Sequence, residues 1–334
     1  MDFRCLYSKK IFSNGMHNAF PSVCRFKNAY YIAFRTAPDH VAYEGKITVL
    51  RSEDLDVWSL AAEIGVAQTD LRDPRILEFS GKLFLYCLNR DNTMPEKGTR
   101  LFISEDGSAF KEQALSGYEA THLWCFKPHG GILYASGYKV QEKNHYETFL
   151  FTSRDGIRWT CKLSLSEGNE TAIDFADNGD LYAIIRDDGR GGCPALTILK
   201  PLYDSLNSYL RLPVRIQGPM LKRLEKGCLL ICRRWDLPGR FNIRTDVLWL
   251  EDGKDIQWLR QLPSGGDCSY AAWLQTGENK AAVIYYSSHE HKMDPAFDEP
   301  GIEKDSAIAE HSTAADIYLA NVTWINRNEI PKLI

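Results

Sequence analysis

The sequence predicts an all-β protein that folds as a six-bladed β-propeller, and three observations support this. A pattern of two short apolar strands joined by a polar turn recurs six times, at a spacing of about 50 residues. A Ser-x-Asp motif recurs three times in phase with it, and each chain end supplies one further strand. A repeat of this length that is built from strands is typical of propellers, in which each repeat forms one blade.

The six hairpins share a polar turn, which contains glycine in five of them. They span residues 21–35, 73–90, 123–138, 171–186, 219–234 and 269–287. Because six like units close into one ring, we expect a single domain over residues 1–334. Residues 292–314 are rich in charge and poor in large apolar side chains, so we expect an insertion in the last blade that could cover the site.

The Ser-x-Asp motif is followed by a tryptophan or phenylalanine four residues after the aspartate, at 52–58, 104–110 and 153–159. These residue types predict a tight turn between two outer strands. Serine and aspartate cap backbone amides, glycine adopts a positive φ, and the aromatic ring fills the gap between blades. We therefore do not expect these acidic residues to be catalytic.

The two ends of the chain are expected to close the ring together. Residues 316–322 alternate between apolar and polar side chains, as a strand does, and residues 3–12 supply a second strand. Both are predicted to lie in blade six.

Composition limits the possible partners. The net charge of −4 gives no electrostatic reason to expect binding to nucleic acid or to an anionic membrane. The N-terminus has no apolar segment of the kind that directs secretion, so we expect a cytoplasmic protein. The nine cysteines form no CxxC pair, and the pair His289 and His291 lacks a third ligand in register. We expect reduced thiols, no metal and no cofactor.

The candidate site follows from propeller geometry. Innermost strands run roughly along the central axis, so the start of the first strand and the end of the second lie at the same end of each blade. The polar residues at these ends include His17, Arg35, Arg72, Asp73, His122, Tyr138, Glu170, Arg186, Arg233, Asp267 and Tyr270. Arginine forks bind carboxylates, and paired acids suit glycosidic bond cleavage. A carbohydrate substrate, and an acidic sugar in particular, is therefore expected.

In these residues the chain resembles the sialidase superfamily of glycoside hydrolases. The Ser-x-Asp motif also resembles the Asp boxes (BNR repeats) of that superfamily. The stretches that carry the resemblance are 169–186, 244–250 and 266–286. The resemblance implies that Tyr270 is the nucleophile and that Glu170 activates it. It also implies that Arg186 and Arg244 bind the substrate carboxylate.

The sequence departs from the sialidase pattern in two places. Ala19-Phe20-Pro21 stands where sialidases have Arg-Ile-Pro, so one arginine of the carboxylate clamp is missing unless Arg35 or Arg75 replaces it. The acid/base aspartate has no clear counterpart. Asp39 and Glu44 are its candidates in the loop expected to hold it, with His40 between them as a further polar residue. We therefore expect a retaining hydrolase whose substrate differs from ordinary sialic acid.

The other polar ends are expected to contact the substrate. These residues are His17, His40, Arg72, Asp73, Arg233 and Asp267. Two other functions stay open on the same residues. One is a polysaccharide lyase acting on a uronate, with His17, His40 or His122 as the important group. The other is a glycan-binding propeller without catalytic activity.

Overall fold

The structure is a computed structural model that describes residues 1–91, 98–118, 121–142, 145–188, 192–234, 243–252, 255–291 and 314–325. Within these residues the chain forms strands, turns and bends, with no helix. Most of the predicted insertion, residues 292–313, lies outside this part of the chain. No helix in the described residues is long and apolar enough to cross a membrane.

Six antiparallel four-stranded sheets form the ring, which confirms the predicted six-bladed β-propeller. Blades one and two contain β2 (His17–Phe26), β3 (Ala29–Ala37), β4 (Lys46–Ser52), β5 (Ser59–Ile64), β6 (Thr69–Phe79), β7 (Lys82–Asp91), β8 (Thr99–Ser104) and β9 (Lys111–Gln113). Blades three and four contain β10 (His122–His129), β11 (Ile132–Glu142), β12 (His145–Ser153), β13 (Thr160–Glu167), β14 (Thr171–Phe175), β15 (Leu181–Ile185), β16 (Ala195–Leu199) and β17 (Ser208–Arg211). Blade five contains β18 (Gln217–Leu224), β19 (Gly227–Arg234), β20 (Arg244–Glu251) and β21 (Ile256–Leu262).

Blade six joins the two ends of the chain, as predicted. It contains β22 (Cys268–Gly277), β23 (Lys280–Ser287), β24 (Asp316–Ile325) and, outermost, β1 (Asp2–Phe12). The strand β1 pairs antiparallel with β24 in a register that places Phe3 opposite Trp324. Ladder hydrogen bonds therefore close the ring without a disulfide, and the cysteines are free.

The core lies between neighbouring blades. Each hairpin presents apolar side chains on both faces, so the strands read as nearly continuous hydrophobic runs such as Leu229–Ile231 in β19. The first strands of adjacent blades contact one another around the axis. Their starting ends therefore form the single ring of side chains that the hairpin pattern predicted.

The three Ser-x-Asp turns join the third and fourth strands of blades one to three. In each turn the aspartate accepts two backbone amides, as Asp106 does from Ser108 and Ala109 at 2.8 and 2.9 Å. The serine accepts another, as Ser104 does from Gly107 at 2.8 Å. Because these turns follow the third strand, they lie at the opposite end of each blade from the ring of polar ends, away from the candidate site.

Candidate active site

Four of the six first strands share an irregularity close to their start. The pairing with the second strand skips two residues, and the first skipped residue is Phe20, Asp73, Gly218 or Tyr270. These residues have φ of 58°, 46°, 51° and 48°, which is the left-handed region that costs a residue with a side chain about 1–3 kcal/mol. Such bulges redirect a side chain and are common next to active sites. The ring therefore has four equivalent positions, on blades one, two, five and six.

Tyr270 uses its bulge to reach Glu170 across blade five. Its hydroxyl donates a hydrogen bond of 2.7 Å to Glu170 Oε1. Glu170 lies directly before β14, and its Oε2 accepts the backbone N–H of Gly218 at 3.1 Å. Both residues are buried. The two residues that the resemblance implied as a pair are therefore in direct contact.

Arg186 contacts both members of this pair. It lies across the ladder from Glu170, whose carbonyl accepts the Arg186 backbone N–H. Its Nη1 donates to Glu170 Oε2 at 2.6 Å and to Tyr270 Oη at 3.2 Å, while its Nε donates to Asp188 at 2.9 Å. Burial and the Glu170 charge raise the pKa of Tyr270, although Arg186 and Arg233 oppose this. The phenol is therefore protonated at rest and needs a base to lose its proton.

Asp267 is the centre of a second buried network, on blade six. Its Oδ2 accepts hydrogen bonds from His17 Nε2 at 2.8 Å and His40 Nδ1 at 2.5 Å. Its Oδ1 accepts Arg233 Nη2 at 2.6 Å and the Tyr286 hydroxyl at 2.7 Å. Burial alone would raise the pKa of Asp267, but His40, Arg233 and His17 hold it well below its usual range. Asp267 is therefore a carboxylate that fixes its neighbours.

His17, His40 and Asp267 are also the one group in the described residues whose possible ligand atoms are close enough to hold a metal ion, all within 4.8 Å. The hydrogen bonds favour a different arrangement. Arg35 Nη1 lies 3.4 Å from His17 Nδ1, so that nitrogen carries the lone pair and Nε2 carries the proton given to Asp267. The Arg233 charge on the other carboxylate oxygen also disfavours a cation. These residues therefore fit a hydrogen-bonded network better than a metal centre.

Arg35 is one of the two candidates for the missing clamp arginine. Its side chain has no exposed surface, and it forms a fork on Asp70 at 2.6 and 3.1 Å. A third contact, to the Asp39 carbonyl at 2.9 Å, holds the loop at 38–45. The contacts of the Arg35 guanidinium are thus to Asp70, His17 and the Asp39 carbonyl, and its role as a clamp arginine stays a prediction.

Arg72 contacts Phe20, and the space surrounded by Phe20, Tyr270 and the other polar strand ends is called the central chamber. Its guanidinium carbon is 5.2 Å from the centre of the Phe20 ring, and its Nη1 donates to the His40 carbonyl and to Asp70. The rings of Tyr270 and His40 contact the same phenylalanine, at 4.9 and 5.6 Å between centroids. Phe20, which stands where sialidases have the isoleucine of Arg-Ile-Pro, is therefore the apolar centre of the ring.

The carboxylates of Asp39 and Glu44 accept hydrogen bonds from backbone amides, Asp39 within its own loop and Glu44 from the loop that follows β5. Asp39 Oδ1 accepts the N–H of Val41 at 2.8 Å, and Glu44 Oε1 accepts the N–H of Gln68 at 3.0 Å. Glu44 is also exposed. The structure brings neither carboxylate into contact with Tyr270 or Glu170, so these two acid/base candidates are separated from the pair.

Arg244 begins β20, and its Nε donates to both oxygens of Asp246, at 3.0 and 3.2 Å. The same carboxylate accepts Arg234. Among the contacts of the described residues, none joins Arg244 to Tyr270 or Glu170. Its position as a third clamp arginine therefore stays a prediction.

The sequence reasoning missed the carboxylates that accompany the arginines. Asp70, Asp188 and Asp246 pair with arginines two positions away in the chain, which are Arg72, Arg186 and Arg244. Residues two apart on a strand point to the same face, so the Asp-x-Arg and Arg-x-Asp spacing was the available signal. The role of Gly218 could not be predicted either, since a glycine in a strand does not show which side chain packs against it.

On the opposite side of the chamber, His122 Nδ1 and the Tyr138 hydroxyl are 2.8 Å apart. Burial lowers the pKa of His122 to about 3, with Arg75 adding to the effect. His122 Nε2 is buried and has no hydrogen-bond partner in the described structure. This pair is thus neutral and offers one unused ring nitrogen.

Comparison with known proteins identifies the fold. No family model and no curated protein matches the sequence. A protein of unknown function from Dyadobacter fermentans has a similar structure, with a TM-score of 0.75 and 17% identity, covering 97% of this chain and 99% of that one. The phage phi92 endosialidase has a TM-score of 0.68 at 11% identity, with coverage of 98% and 70%. A Trypanosoma rangeli sialidase has a TM-score of 0.62 at 11% identity, with coverage of 93% and 55%.

The chain therefore has the sialidase-like propeller fold. Two of these three structures are, by name, an endosialidase and a sialidase. At this level of identity the comparison establishes the fold alone, so the activity has to be argued from the site.

Proposed function

We propose that this protein is a retaining glycoside hydrolase that removes a terminal acidic or polyhydroxylated sugar, with Tyr270 as nucleophile and Glu170 as its base. The observation that carries the proposal is the buried hydrogen bond of 2.7 Å between the Tyr270 hydroxyl and Glu170 Oε1. A nucleophile in hydrogen-bond contact with a base, which a third group orients, is the arrangement that covalent catalysis needs. Arg186 is that third group.

In the first half of the reaction, Tyr270 Oη would attack the anomeric carbon while its proton passes to Glu170. The bond to the leaving group breaks at the same time, and the leaving oxygen takes a proton from an acid. Arg186 would then stay against the tyrosine oxygen and the Glu170 carboxyl group. Water hydrolyses the glycosyl-tyrosine in the second half, and Glu170 returns the proton to Tyr270.

The charge around the pair supports a substrate other than ordinary sialic acid. Three arginines near the pair already have a carboxylate partner: Asp70 for Arg72, Asp188 for Arg186 and Asp267 for Arg233. Such neutralised arginines still donate hydrogen bonds to hydroxyl groups but attract a substrate carboxylate less strongly. A polyhydroxylated sugar with at most one acidic group fits this chamber.

The test is a screen of purified protein against aryl glycosides and acidic oligosaccharides, including sialosides and uronides. Tyr270→Phe and Glu170→Gln should reduce sugar release by at least about 10³-fold, because each removes part of the nucleophilic unit. Tyr285→Phe is the matched control, since Tyr285 is buried but bonds to the Pro263 carbonyl and Ser8. Full activity in Tyr270→Phe would contradict the mechanism.

The His122 and Tyr138 pair is the observation that favours a lyase as the second candidate. A neutral histidine with an unused ring nitrogen could remove the C5 proton of a uronate. The same screen separates the two functions. A lyase gives an unsaturated product that absorbs ultraviolet light, and it would lose activity in His122→Gln rather than in Tyr270→Phe.

A further inference from the structure

Asp73 differs from the other acidic residues of the ring. Glu170, Asp267, Asp70 and Asp246 each accept at least two hydrogen bonds from side chains or amides. Asp73 has 8% of its surface exposed, its Oδ1 is buried, and no described residue donates a hydrogen bond to that oxygen. A buried carboxylate without hydrogen bonds is costly, and the neutral acid is favoured in such a place.

The backbone of Asp73 also adopts an unusual conformation. It has φ of 46° and precedes Pro74, at the bulge that corresponds to Tyr270 in blade six and to Phe20 in blade one. An aspartate in the left-handed region, with one carboxyl oxygen buried and without a hydrogen bond, points to a role outside folding.

Phe20 separates Asp73 from Tyr270 around the ring, since blade one lies between blades six and two. Asp73 and Tyr270 occupy equivalent bulges near the start of the first strands of blades two and six, so both lie at the same end of the ring. A sugar placed over Phe20 would have the nucleophile on one side and the Asp73 carboxyl group on the other. Nucleophile and acid on opposite sides of the scissile bond are what a retaining hydrolase requires.

We propose that Asp73 is the acid/base of this site, donating its proton to the leaving oxygen and then accepting one from the attacking water. This assignment rests on the hydrolase function proposed above. In the first step the bond from the anomeric carbon to Tyr270 forms, the bond to the leaving oxygen breaks, and the Asp73 proton moves to that oxygen. In the second step water replaces Tyr270 on the carbon, and its proton returns to Asp73.

The surroundings suit both halves of this cycle. Burial raises the pKa of Asp73, while Arg72, Arg75 and Arg35 act in the opposite direction. The acid is therefore protonated more readily than an exposed aspartate, and its conjugate base, once formed, is stabilised by the neighbouring arginines.

The competing groups are less suited to this step. Asp39 and Glu44 already accept backbone amides of Val41 and Gln68, and neither contacts Tyr270 or Glu170. His40 uses Nδ1 on Asp267, and burial lowers its pKa to about 4, so it has no additional proton to give near neutral pH.

The test compares leaving groups. Asp73→Asn, in which asparagine tolerates the left-handed backbone, is assayed on aryl glycosides of the active sugar, from dinitrophenyl to unsubstituted phenyl. Loss of a general acid should lower the rate by about 10²–10⁴-fold on the phenyl substrate and far less on the dinitrophenyl substrate. Azide should restore turnover by giving the glycosyl azide. Asp73→Gly, which relieves the backbone strain, is the second variant should asparagine prevent folding.

The outcomes separate this assignment from the function on which it rests. An equal loss on all leaving groups, or the leaving-group pattern in Asp39→Asn instead, would overturn the role of Asp73 while the hydrolase function stands. Absence of hydrolysis by the wild type, or full activity in Tyr270→Phe, would overturn both.

Discussion

The Tyr270 ring crosses blade five directly over Gly218, and a Cβ at position 218 would lie only 2.6 Å from Tyr270 Cδ2. Gly218 also donates its N–H to Glu170, so one glycine both makes room for the tyrosine and holds its partner. The contact between blades four and six therefore depends on a missing side chain in blade five.

Gly218→Ala should displace Tyr270 from Glu170 and lower activity by about 10²-fold, as a shift of about 1 Å in a reacting group does. The matched control is Gly130→Ala. Gly130 has a similar φ, 57° against 51°, but nothing lies within 4 Å of its Cβ position. Both variants carry the backbone strain of about 1–3 kcal/mol, and only the first carries the collision. Equal activity in the two variants, measured on the substrate found by the screen, would show that Tyr270 does not need this space.

The repeated hairpin was enough to predict the fold because strand alternation and turn residues are local signals. Each hairpin contains its own apolar strands and turn. Closure by β1 and β24 could be predicted as well, since residues 316–322 alternate as a strand does. What the pattern does not contain is the bulge at the start of four first strands, because left-handed Phe20 and Tyr270 are unusual residues for that conformation.

The site could be predicted only in part. Polar ends of innermost strands had to meet, so topology predicts that Glu170, Tyr270 and Arg186 share one ring, whereas the resemblance supplied the pairing of Glu170 with Tyr270. The carboxylate partners of the arginines could not be predicted from the topology, because they depend on the direction in which each side chain points. Arg35 sits at a strand end like Arg186, yet its fork faces the buried Asp70.

Arg186→Lys should lower the rate at saturating substrate by about 10²-fold or more. A lysine offers a point charge and cannot contact Glu170, Tyr270 and Asp188 together, as the guanidinium does. Arg211→Lys is the control, since Arg211 pairs with Asp187 in the same blade but does not contact the pair. A rate in Arg186→Lys close to that of Arg211→Lys, with unchanged substrate affinity, would argue against a role for Arg186 in stabilising the tyrosine oxygen.

Arg35→Met should lower the free energy of unfolding by about 3–5 kcal/mol, because it leaves Asp70 buried without its main partner. Arg35→Met combined with Asp70→Asn should recover part of this loss, since the uncompensated charge is gone. Urea unfolding of the three proteins measures both effects. If Arg35→Met were as stable as the wild type and only bound substrate more weakly, Arg35 would belong to the substrate clamp after all.

Acid should destabilise the fold through its buried histidines. Burial lowers the pKa of His122 to about 3 and that of His40 to about 4, whereas an unfolded histidine titrates near about 6.5. The unfolded chain therefore binds protons below about pH 6.5 that the folded protein does not. The free energy of unfolding consequently decreases as the pH is lowered, by about 1.4 kcal/mol per pH unit for each histidine.

His122→Gln should remove one such contribution and flatten the pH dependence of the free energy of unfolding between about pH 6 and pH 4, a range set by the same pair of pKa values. His145→Gln, at an exposed position on β12, serves as the control. Urea unfolding at several pH values measures the slopes, and equal slopes for His122→Gln and the wild type would mean that His122 is already charged in the folded protein.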